Sequence, residues 1–275
     1  MKTTPKLYND HFKDGELYAW VDMCTHCNAG CPQCHRTDAS KDMFNTSSNP
    51  PRSVGKVDWL PLVQWDLDKF KKAFPVDTLR RYRAFEFCGT YGDPIMAKDL
   101  KEIIEYVLKF TINTLIQVNT NGGIRSEKWW SDLGLIGMDY KSPETGWARL
   151  TITFDVDGTT QEMHAKYRQK TNLEKIKKNI KAYCDTGSRA TAYVVVFKHN
   201  QDYMHDIEDM VKELGIIDVY FQESNRFHEG DSFIFTDEHG KVDTLEQAEV
   251  VRGQDNRLRT TTPIRDRKWT MTLNT

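Results

Sequence analysis

Three cysteines fall within eight residues near the start of the chain. Cys27, Cys31 and Cys34 are spaced Cys-x3-Cys-x2-Cys, and a fourth, Cys24, lies three residues upstream. Thiolates on one short loop can reach a common centre, and soft metals and iron–sulfur clusters prefer such ligands. Closed structural sites normally use four ligands, whereas three ligands suit a centre that keeps one position open. The loop therefore predicts a metal centre, around which the rest of the chain is arranged.

This loop resembles the cluster loop of the radical S-adenosylmethionine (radical SAM) enzymes. From Cys27 to Cys34 it reads Cys-Asn-x-x-Cys-Pro-x-Cys, which is most similar to members with a C-terminal twitch or SPASM extension. Many members have an aromatic residue before the third cysteine, where this chain has Gln33. The resemblance implies that Cys27, Cys31 and Cys34 hold a [4Fe–4S] cluster, whose open iron binds S-adenosylmethionine. It also implies that Cys24 is not a ligand.

Zinc is the alternative at this loop. With Cys24 included, the four cysteines read as two Cys-x2-Cys knuckles, which can bind zinc tetrahedrally. The two knuckles are close together for a zinc ribbon, whose pairs are usually well separated in sequence. A zinc-binding structural or nucleic-acid-binding module therefore stays open as a second interpretation.

Composition narrows the class of protein. The 275 residues are 39% hydrophobic and 28% charged with a net charge of −2, so there is no global electrostatic case for nucleic acid or an acidic membrane. The N-terminus lacks an apolar signal region, and the longest apolar run, 192–197, is far too short for a membrane span. Four of the six cysteines are clustered, which indicates metal-binding thiols in a reducing cytoplasm rather than a disulfide scaffold.

Alternating strands and helices predict an α/β fold. Buried strands are expected at 17–21, 84–88, 115–119, 149–154, 190–197 and 218–222. Amphipathic helices are expected at 65–74, 99–110, 127–135, 173–184 and 202–214. This alternation predicts parallel βαβ units wound right-handedly. Six units are too few for a closed eight-stranded barrel, but they fit the partial (β/α)6 TIM-like barrel of the radical SAM family.

A glycine turn follows the second predicted strand. Gly89 and Gly92 permit the backbone to approach a ligand closely, and Asp93-Pro94 comes next. The turn resembles the Gly-Gly-Glu-Pro-like motif of the family, with Asp93 in place of the common Glu. In the family the backbone of this motif recognises the amino group of S-adenosylmethionine. The alternative is a simple strand-to-helix turn with an Asp-Pro helix start.

Polar residues end the third and fourth predicted strands. Asn119 lies in the third strand and Asn121 in the Thr-Asn-Gly that ends it, and the resemblance places both at the open end of the barrel facing the cofactor. Asp155 follows the fourth strand, where a polar side chain contacts the ribose in relatives. The nearby Arg168 corresponds to an arginine that meets the methionine carboxylate. His164 matches a family position too, but a lone histidine is more often packed or solvated than catalytic.

The alternation of strands and helices ends near residue 226. Two strand-like segments, 231–236 and 241–245, flank a turn and predict a β-hairpin. No cysteine follows Cys184, although twitch and SPASM extensions need several for an auxiliary cluster. The expected organisation is an N-terminal arm at 1–15, a radical SAM partial barrel at 16–225, and a C-terminal extension at 226–275 that either lacks such a region or is cut short.

The resemblance also implies an activity. A reduced [4Fe–4S] cluster would cleave S-adenosylmethionine to a 5′-deoxyadenosyl radical that abstracts hydrogen from a substrate. The expected partners are a small-molecule or peptide substrate and a one-electron donor such as flavodoxin or ferredoxin, in the cytoplasm and without a membrane. The side chains that act on the substrate are unknown at this stage. A third interpretation is a degenerate radical SAM fold that binds a partner without turnover.

Overall fold

The structure is a computed structural model. It describes residues 17–37, 52–53, 56–227, 230–253 and 257–260. The arm predicted at 1–15 and a strand-like segment near 269–273 lie outside these residues.

A six-stranded parallel sheet forms the centre of the described chain. Its spatial order is β1-β3-β4-β5-β6-β7, so each strand lies beside the previous one of the sheet. This arrangement confirms the predicted α/β class and the six-strand partial barrel. The strands are β1 (Leu17–Val21), β3 (Tyr82–Phe87), β4 (Leu115–Thr120), β5 (Leu150–Asp155), β6 (Arg189–Val196) and β7 (Asp218–Glu223).

Helices connect these strands and cover the outer face of the sheet. They are α1 (Leu67–Ala73), α2 (Val76–Leu79), α3 (Leu100–Phe110), α4 (Glu127–Asp139), α5 (Gln161–Tyr167), α6 (Leu173–Cys184) and α7 (Met204–Glu213). Two short 3-10 turns, Pro94–Met96 and Gln201–Tyr203, precede α3 and α7. None of the described helices has the length and apolar content that a bilayer span requires.

The two faces of the sheet differ in character. Alternate residues such as Phe85, Phe87, Val118 and Ile152 point outward into one apolar core with the helices. The residues between them share the opposite, inner face, because parallel register keeps side chains level from strand to strand. In register from β1 to β7 this inner face carries Tyr18 and Trp20, Glu86, Gln117 and Asn119, Thr151, Thr153 and Asp155, Thr191, Tyr193 and Val195, and Tyr220 and Gln222.

The predicted C-terminal hairpin is present. β8 (Ser232–Thr236) pairs antiparallel with β9 (Val242–Glu246), and β2 (Arg52–Ser53) adds to β8 in parallel. A further pair, β10 (Val250–Arg252) with β11 (Leu258–Thr260), was not predicted. Phe233, Phe235 and Leu245 form a second apolar cluster with Cys31, Tyr167 and Phe197, so the hairpin packs against the cysteine loop.

Three local features differ from the sequence prediction. The short helix α5 was not foreseen, because seven residues give little periodicity, although Thr160 caps it by accepting the N–H of Met163. Helix α4 continues four residues beyond its predicted end at Leu135. Cys184 and Cys88, the two cysteines outside the cysteine loop, differ in burial: sequence isolation alone would predict two buried thiols, but Cys184 is half-buried and Cys88 is buried.

Candidate metal and cofactor site

The cysteine loop starts at the carboxyl end of β1. The thiols of Cys27, Cys31 and Cys34 are all free; Cys31 is buried and the other two are half-buried. Two backbone hydrogen bonds shape the loop, since the N–H of Cys34 donates to the carbonyl of Cys31 over 3.0 Å and that of Thr37 to the carbonyl of Cys34 over 2.8 Å. The three thiols thus come from one short, tightly turned segment.

Arg36 and the glycine turn hold this loop in place. The Arg36 guanidinium donates to the carbonyl of Tyr91 over 3.0 Å and to that of Thr25, so it links the turn to the loop. The two segments touch at Gly92, where a Cβ would lie only 2.1 Å from the carbonyl oxygen of Cys24. Glycine is therefore required at this position by close packing against the cysteine loop, whereas the predicted approach of the turn to a ligand stays a prediction.

Asp93 joins three segments at the centre of the site. Its buried carboxylate accepts the N–H of Ile95 over 3.0 Å, the hydroxyl of Thr120 over 2.9 Å and the N–H of Asn121 over 2.9 Å. Its own N–H donates to the carbonyl of His26 over 2.8 Å. Burial raises the pKa of Asp93, and these hydrogen bonds oppose that rise. The side chain is therefore engaged in fixing the turn.

Asn121 lies between Asp93 and the cysteine loop. Its amide nitrogen donates to the Asp93 carboxylate over 2.5 Å and to the Asn28 side chain over 3.0 Å. The same nitrogen lies 3.9 Å from the Cys27 sulfur. The structure therefore brings this predicted residue to the first cysteine, and its amide orients the loop.

Arg168 forms a buried ion-pair network beside Cys31. Its Nη1 lies 3.1 Å from Asp155 and 3.9 Å from the Cys31 sulfur, and its Nε lies 2.5 Å from Asp157. Burial disfavours its charge, but the two carboxylates raise the pKa of Arg168 well above its usual value. Burial raises the pKa of Asp155 to about 7, although Arg168 acts in the opposite direction. Asp155 and Arg168, which were predicted separately as cofactor contacts, form an ion pair with each other.

The third member of this network, Asp157, was not predicted as a site residue. It accepts the N–H of Val195 over 2.6 Å, and its carbonyl accepts the Asn200 amide over 3.0 Å. Its N–H donates to Nδ1 of His164 over 3.2 Å. His164 is fully buried, and burial lowers its pKa to about 3, with Arg168 acting in the same direction. This histidine therefore supports the loop after β5 as a neutral ring.

Gln33, the residue before the third thiol of the group, links the cysteine loop to a distant segment. It is buried; its side-chain oxygen accepts the Ser224 hydroxyl over 2.7 Å, and its carbonyl accepts Arg226 Nη1 over 2.6 Å. These bonds fasten the cysteine loop to the segment after β7. Although burial opposes its charge, Tyr167, Cys34 and Cys31 raise the pKa of Arg226. Sequence reasoning could not find this link, because its partners lie about 190 residues apart.

Asn119 belongs to a different group from Asn121. Its amide donates to Glu86 over 2.6 Å and its oxygen accepts the Gln117 amide over 2.8 Å. The Tyr18 hydroxyl donates to the other oxygen of Glu86. Glu86 was not predicted as a functional residue, but a lone carboxylate between Phe85 and Phe87 in a buried strand was a signal that could have found it.

Cys24 lies apart from the three-thiol group. It is buried in the outer apolar core, and its sulfur is 3.9 Å from the carbonyl of His26. Cys31, by contrast, packs with Cys34 in the second apolar cluster of side chains, beneath the C-terminal hairpin. The expectation that Cys24 is not a ligand stays a prediction.

The donor set is three thiols, a ligand type that iron–sulfur clusters and zinc both take. Burial, Asp93 and the other two thiols raise the pKa of Cys27 above its usual value, and burial raises that of Cys31 to about 12. Among the described residues, no three Cys, His, Asp or Glu side chains are close enough to enclose one metal ion.

The sequence matches no protein-family model and no curated protein. Several solved structures do share its fold. A structure of anSMEcpe with bound AdoMet matches with a TM-score of 0.52 at 14% identity, covering 75% of this chain and 49% of that protein. Streptococcus suis SuiB matches with a TM-score of 0.54 at 11% identity, covering 76% of this chain and 40% of that protein.

These neighbours fix the fold. anSMEcpe and SuiB are radical SAM enzymes, so the described sheet and helices have the radical SAM fold. SuiB has also been solved bound to the precursor peptide SuiA, and that structure matches with a TM-score of 0.52 at 11% identity over 75% of this chain. The chain spans about half or less of the length of these neighbours.

Proposed function

We propose that this chain is a radical SAM enzyme. The observation that carries the proposal is the placement of three free thiols on one loop at the carboxyl end of β1, beside the glycine turn after β3. Ligand sites of α/β proteins lie at that edge of the sheet. A fold shared with radical SAM enzymes supports the same conclusion.

In this proposal Cys27, Cys31 and Cys34 hold a [4Fe–4S] cluster. When bound and reduced, such a cluster supplies the electron that splits S-adenosylmethionine into methionine and a 5′-deoxyadenosyl radical, which takes hydrogen from a substrate. Burial raises the pKa of Cys27 and Cys31, so these two thiols would hold their protons without a metal and would release them on binding iron. Arg168 and Arg226 place positive charge beside them and offset the charge of the thiolates.

The predicted cofactor contacts stay proposals. The backbone of the turn from Gly89 to Gly92 would receive the amino group of S-adenosylmethionine, with Asp93 holding that backbone in position. Asp155 would meet the ribose. The Nε of Arg168 is already bound to Asp157, so only the other nitrogens of the guanidinium would bind the methionine carboxylate. In this proposal Arg168 would bind both the cofactor and the loop after β5, and so would fix the position of one relative to the other.

The hairpin β8–β9 gives the site its cover. Phe233, Phe235 and Leu245 pack against Cys31 and Tyr167, and apolar packing of this kind excludes water. A dry cluster site keeps reactive species away from solvent and oxygen, and low solvent access also sets reduction potential. The cover thus suits a site that handles a radical.

The partners are proposed on the same basis. A one-electron donor such as flavodoxin or ferredoxin would reduce the cluster in the cytoplasm. A peptide is the proposed substrate class, because the fold neighbour SuiB has been solved with a precursor peptide. A small-molecule substrate is the alternative.

Cleavage of S-adenosylmethionine tests the proposal. The protein would be reconstituted with iron and sulfide without oxygen, reduced with dithionite and assayed for 5′-deoxyadenosine, beside a variant with Cys27, Cys31 and Cys34 all changed to Ala. We expect a brown protein that forms the product and a colourless variant that does not.

Two outcomes would overturn the proposal. A colourless protein that retains zinc would support the zinc module. A brown protein that binds S-adenosylmethionine without ever cleaving it, even with peptide present, would support a degenerate fold that acts by binding.

A further inference from the structure

The inner face of the sheet carries a carboxylate that no part of the proposed cofactor chemistry uses. Glu86, on β3, is buried, and its two oxygens accept hydrogen bonds from the neutral groups of Tyr18 and Asn119. Among the described residues no lysine, arginine or histidine forms an ion pair with it, whereas Asp155 on the same face pairs with Arg168. A buried carboxylate without a cation is costly to ionise, so such groups are usually paired.

The neutral donors leave part of this carboxylate available. An ionised carboxylate has about four acceptor positions, of which Tyr18 and Asn119 use one on each oxygen. Gln117 in turn holds the Asn119 amide, so the amide is fixed with its N–H toward Glu86. The three side chains therefore orient the carboxylate and leave acceptor positions for a ligand.

An exposed tryptophan lies beside Glu86. Trp20 on β1 is the register partner of Glu86, and its neighbours Ala19 and Val21 face the outer core. Trp20 is 56% exposed, so solvent reaches the inner face at the level of the carboxylate. An aromatic face next to a carboxylate is a combination that binds cations, because the ring quadrupole and the charge both attract positive groups.

This pair also lies close to the proposed cluster. Glu86 is the second-last residue of β3, just before the glycine turn, and Asn119 is two residues before Asn121, which contacts Cys27. Both side chains are thus near the carboxyl edge of the sheet, on the face that a substrate would share with the cofactor. A group bound here would be held near the place where hydrogen abstraction occurs.

We propose that Glu86 and Trp20 recognise a positively charged nitrogen group of the substrate, either an ammonium or a guanidinium. The inference rests on the proposed function and adds a substrate class to it: a peptide presenting a lysine, an arginine or its amino terminus, or a small amine. Tyr18 and Asn119 are positioning residues that orient the carboxylate.

Binding of small probes tests the proposal. Nα-acetyl-lysine amide and Nα-acetyl-arginine amide carry the charge, and the Nε-acetylated lysine derivative is the neutral match. Dissociation constants would be measured by ligand-observed NMR on the reconstituted protein with S-adenosylmethionine present. We expect the wild type to bind a charged probe about tenfold tighter than the neutral one, which is the weight of one charge-assisted hydrogen bond.

Three variants separate recognition from folding. Glu86→Gln keeps the size of the side chain, and the Tyr18 hydroxyl can turn to accept from the new amide; it should abolish the tenfold preference while melting temperature and iron content stay the same. Trp20→Leu should weaken the binding of the charged probes by about two- to tenfold, because the cation–π contact is lost. Glu105→Gln, on the exposed face of α3, should behave as the wild type.

The outcomes distinguish this inference from the proposed function. Equal binding of charged and neutral probes by the wild type, or an unchanged preference in Glu86→Gln, would overturn the inference. So would a loss of S-adenosylmethionine binding in Glu86→Gln, measured by equilibrium dialysis, because the carboxylate would then belong to the cofactor site. A charge preference in a protein that never cleaves S-adenosylmethionine would retain the inference and overturn the proposed function.

Discussion

The Nε of Arg168 lies 2.5 Å from the fully buried carboxylate of Asp157. This contact ties the segment after α5 to the loop after β5, and the same guanidinium reaches the Cys31 sulfur at 3.9 Å. The Arg168 side chain therefore contacts both the buried support of the fold and the proposed cluster site. Its removal should affect the stability of the protein and the proposed cluster site.

Arg168→Gln should unfold more easily than the wild type. Removal of the cation leaves the buried Asp157 and the half-buried Asp155 without an ion-pair partner, which costs about 3–5 kcal/mol for a buried pair. Urea denaturation checks the change, with Lys178→Gln as an exposed control on α6. Adding Asp157→Asn to Arg168→Gln should restore part of the stability, because it removes one of the stranded charges. Equal stability of Arg168→Gln and Lys178→Gln would contradict the expectation.

His164 should make the protein sensitive to acid. Burial lowers its pKa to about 3 from an ordinary value of 6.5, so the folded protein holds a neutral ring while the unfolded chain takes up a proton below pH 6.5. Its contribution to stability is therefore complete above pH 6.5 and is lost as the pH falls toward 3, by about 1.4 kcal/mol per pH unit.

The matched variant for this residue is His164→Asn, whose oxygen can still accept the N–H of Asp157. Its unfolding free energy should fall less steeply between pH 6.5 and 3 than that of the wild type, as followed by urea denaturation at several pH values. The exposed His205→Asn should retain the wild-type slope. Parallel slopes for all three proteins would show that His164 is protonated in the folded state.

Iron content should separate Cys24 from the other three cysteines of the loop. Cys24→Ala is expected to retain the iron and sulfide of the wild type after reconstitution, since Cys24 packs in the outer apolar core. Single Ala variants of Cys27, Cys31 and Cys34 should each lose most of the iron and sulfide. Cys88→Ala, another buried thiol, is the control. A halving of iron in Cys24→Ala would mean that the fourth thiol is a ligand.

Arg226 should tune the reduction potential of the proposed cluster. Its guanidinium interacts with the thiols of Cys34 and Cys31, and a nearby positive charge favours the more negative, reduced state. Arg226→Gln should therefore shift the midpoint to a more negative value by some tens of millivolts, measured by redox titration with EPR detection. Arg81 is exposed, so Arg81→Gln should leave the midpoint potential unchanged. An unchanged midpoint in Arg226→Gln would remove this role.

The sequence was informative where one short segment carries the signal. The residues of β1 and α6 were placed with their observed bounds, because a β-branched or aromatic run and an apolar stripe depend only on neighbours. The position of the cysteine loop followed from β1, and the hairpin followed from the turn between its strands. The partial barrel itself followed from the alternation of these units.

The remaining features depend on contacts between distant segments. Nothing local to Gln33 indicates that it binds Ser224 and Arg226, and nothing in Asp157 separates it from an ordinary turn residue. The polar stripe of the inner face was visible, since Glu86 interrupts an aromatic strand and Gln117 alternates with Val118. The sequence alone could not show that these polar residues lie together, because that depends on the register in which β3 and β4 pair.

The packing of the hairpin against the cysteine loop has a consequence for how the protein is made. Phe233 leaves the ribosome about 200 residues after Cys31, which at roughly 5–20 residues per second is a delay of about 10–40 s. During that interval the nascent cysteine loop has no hairpin over it. The proposed cluster would therefore be loaded more easily before the hairpin is made, while Cys31 is uncovered.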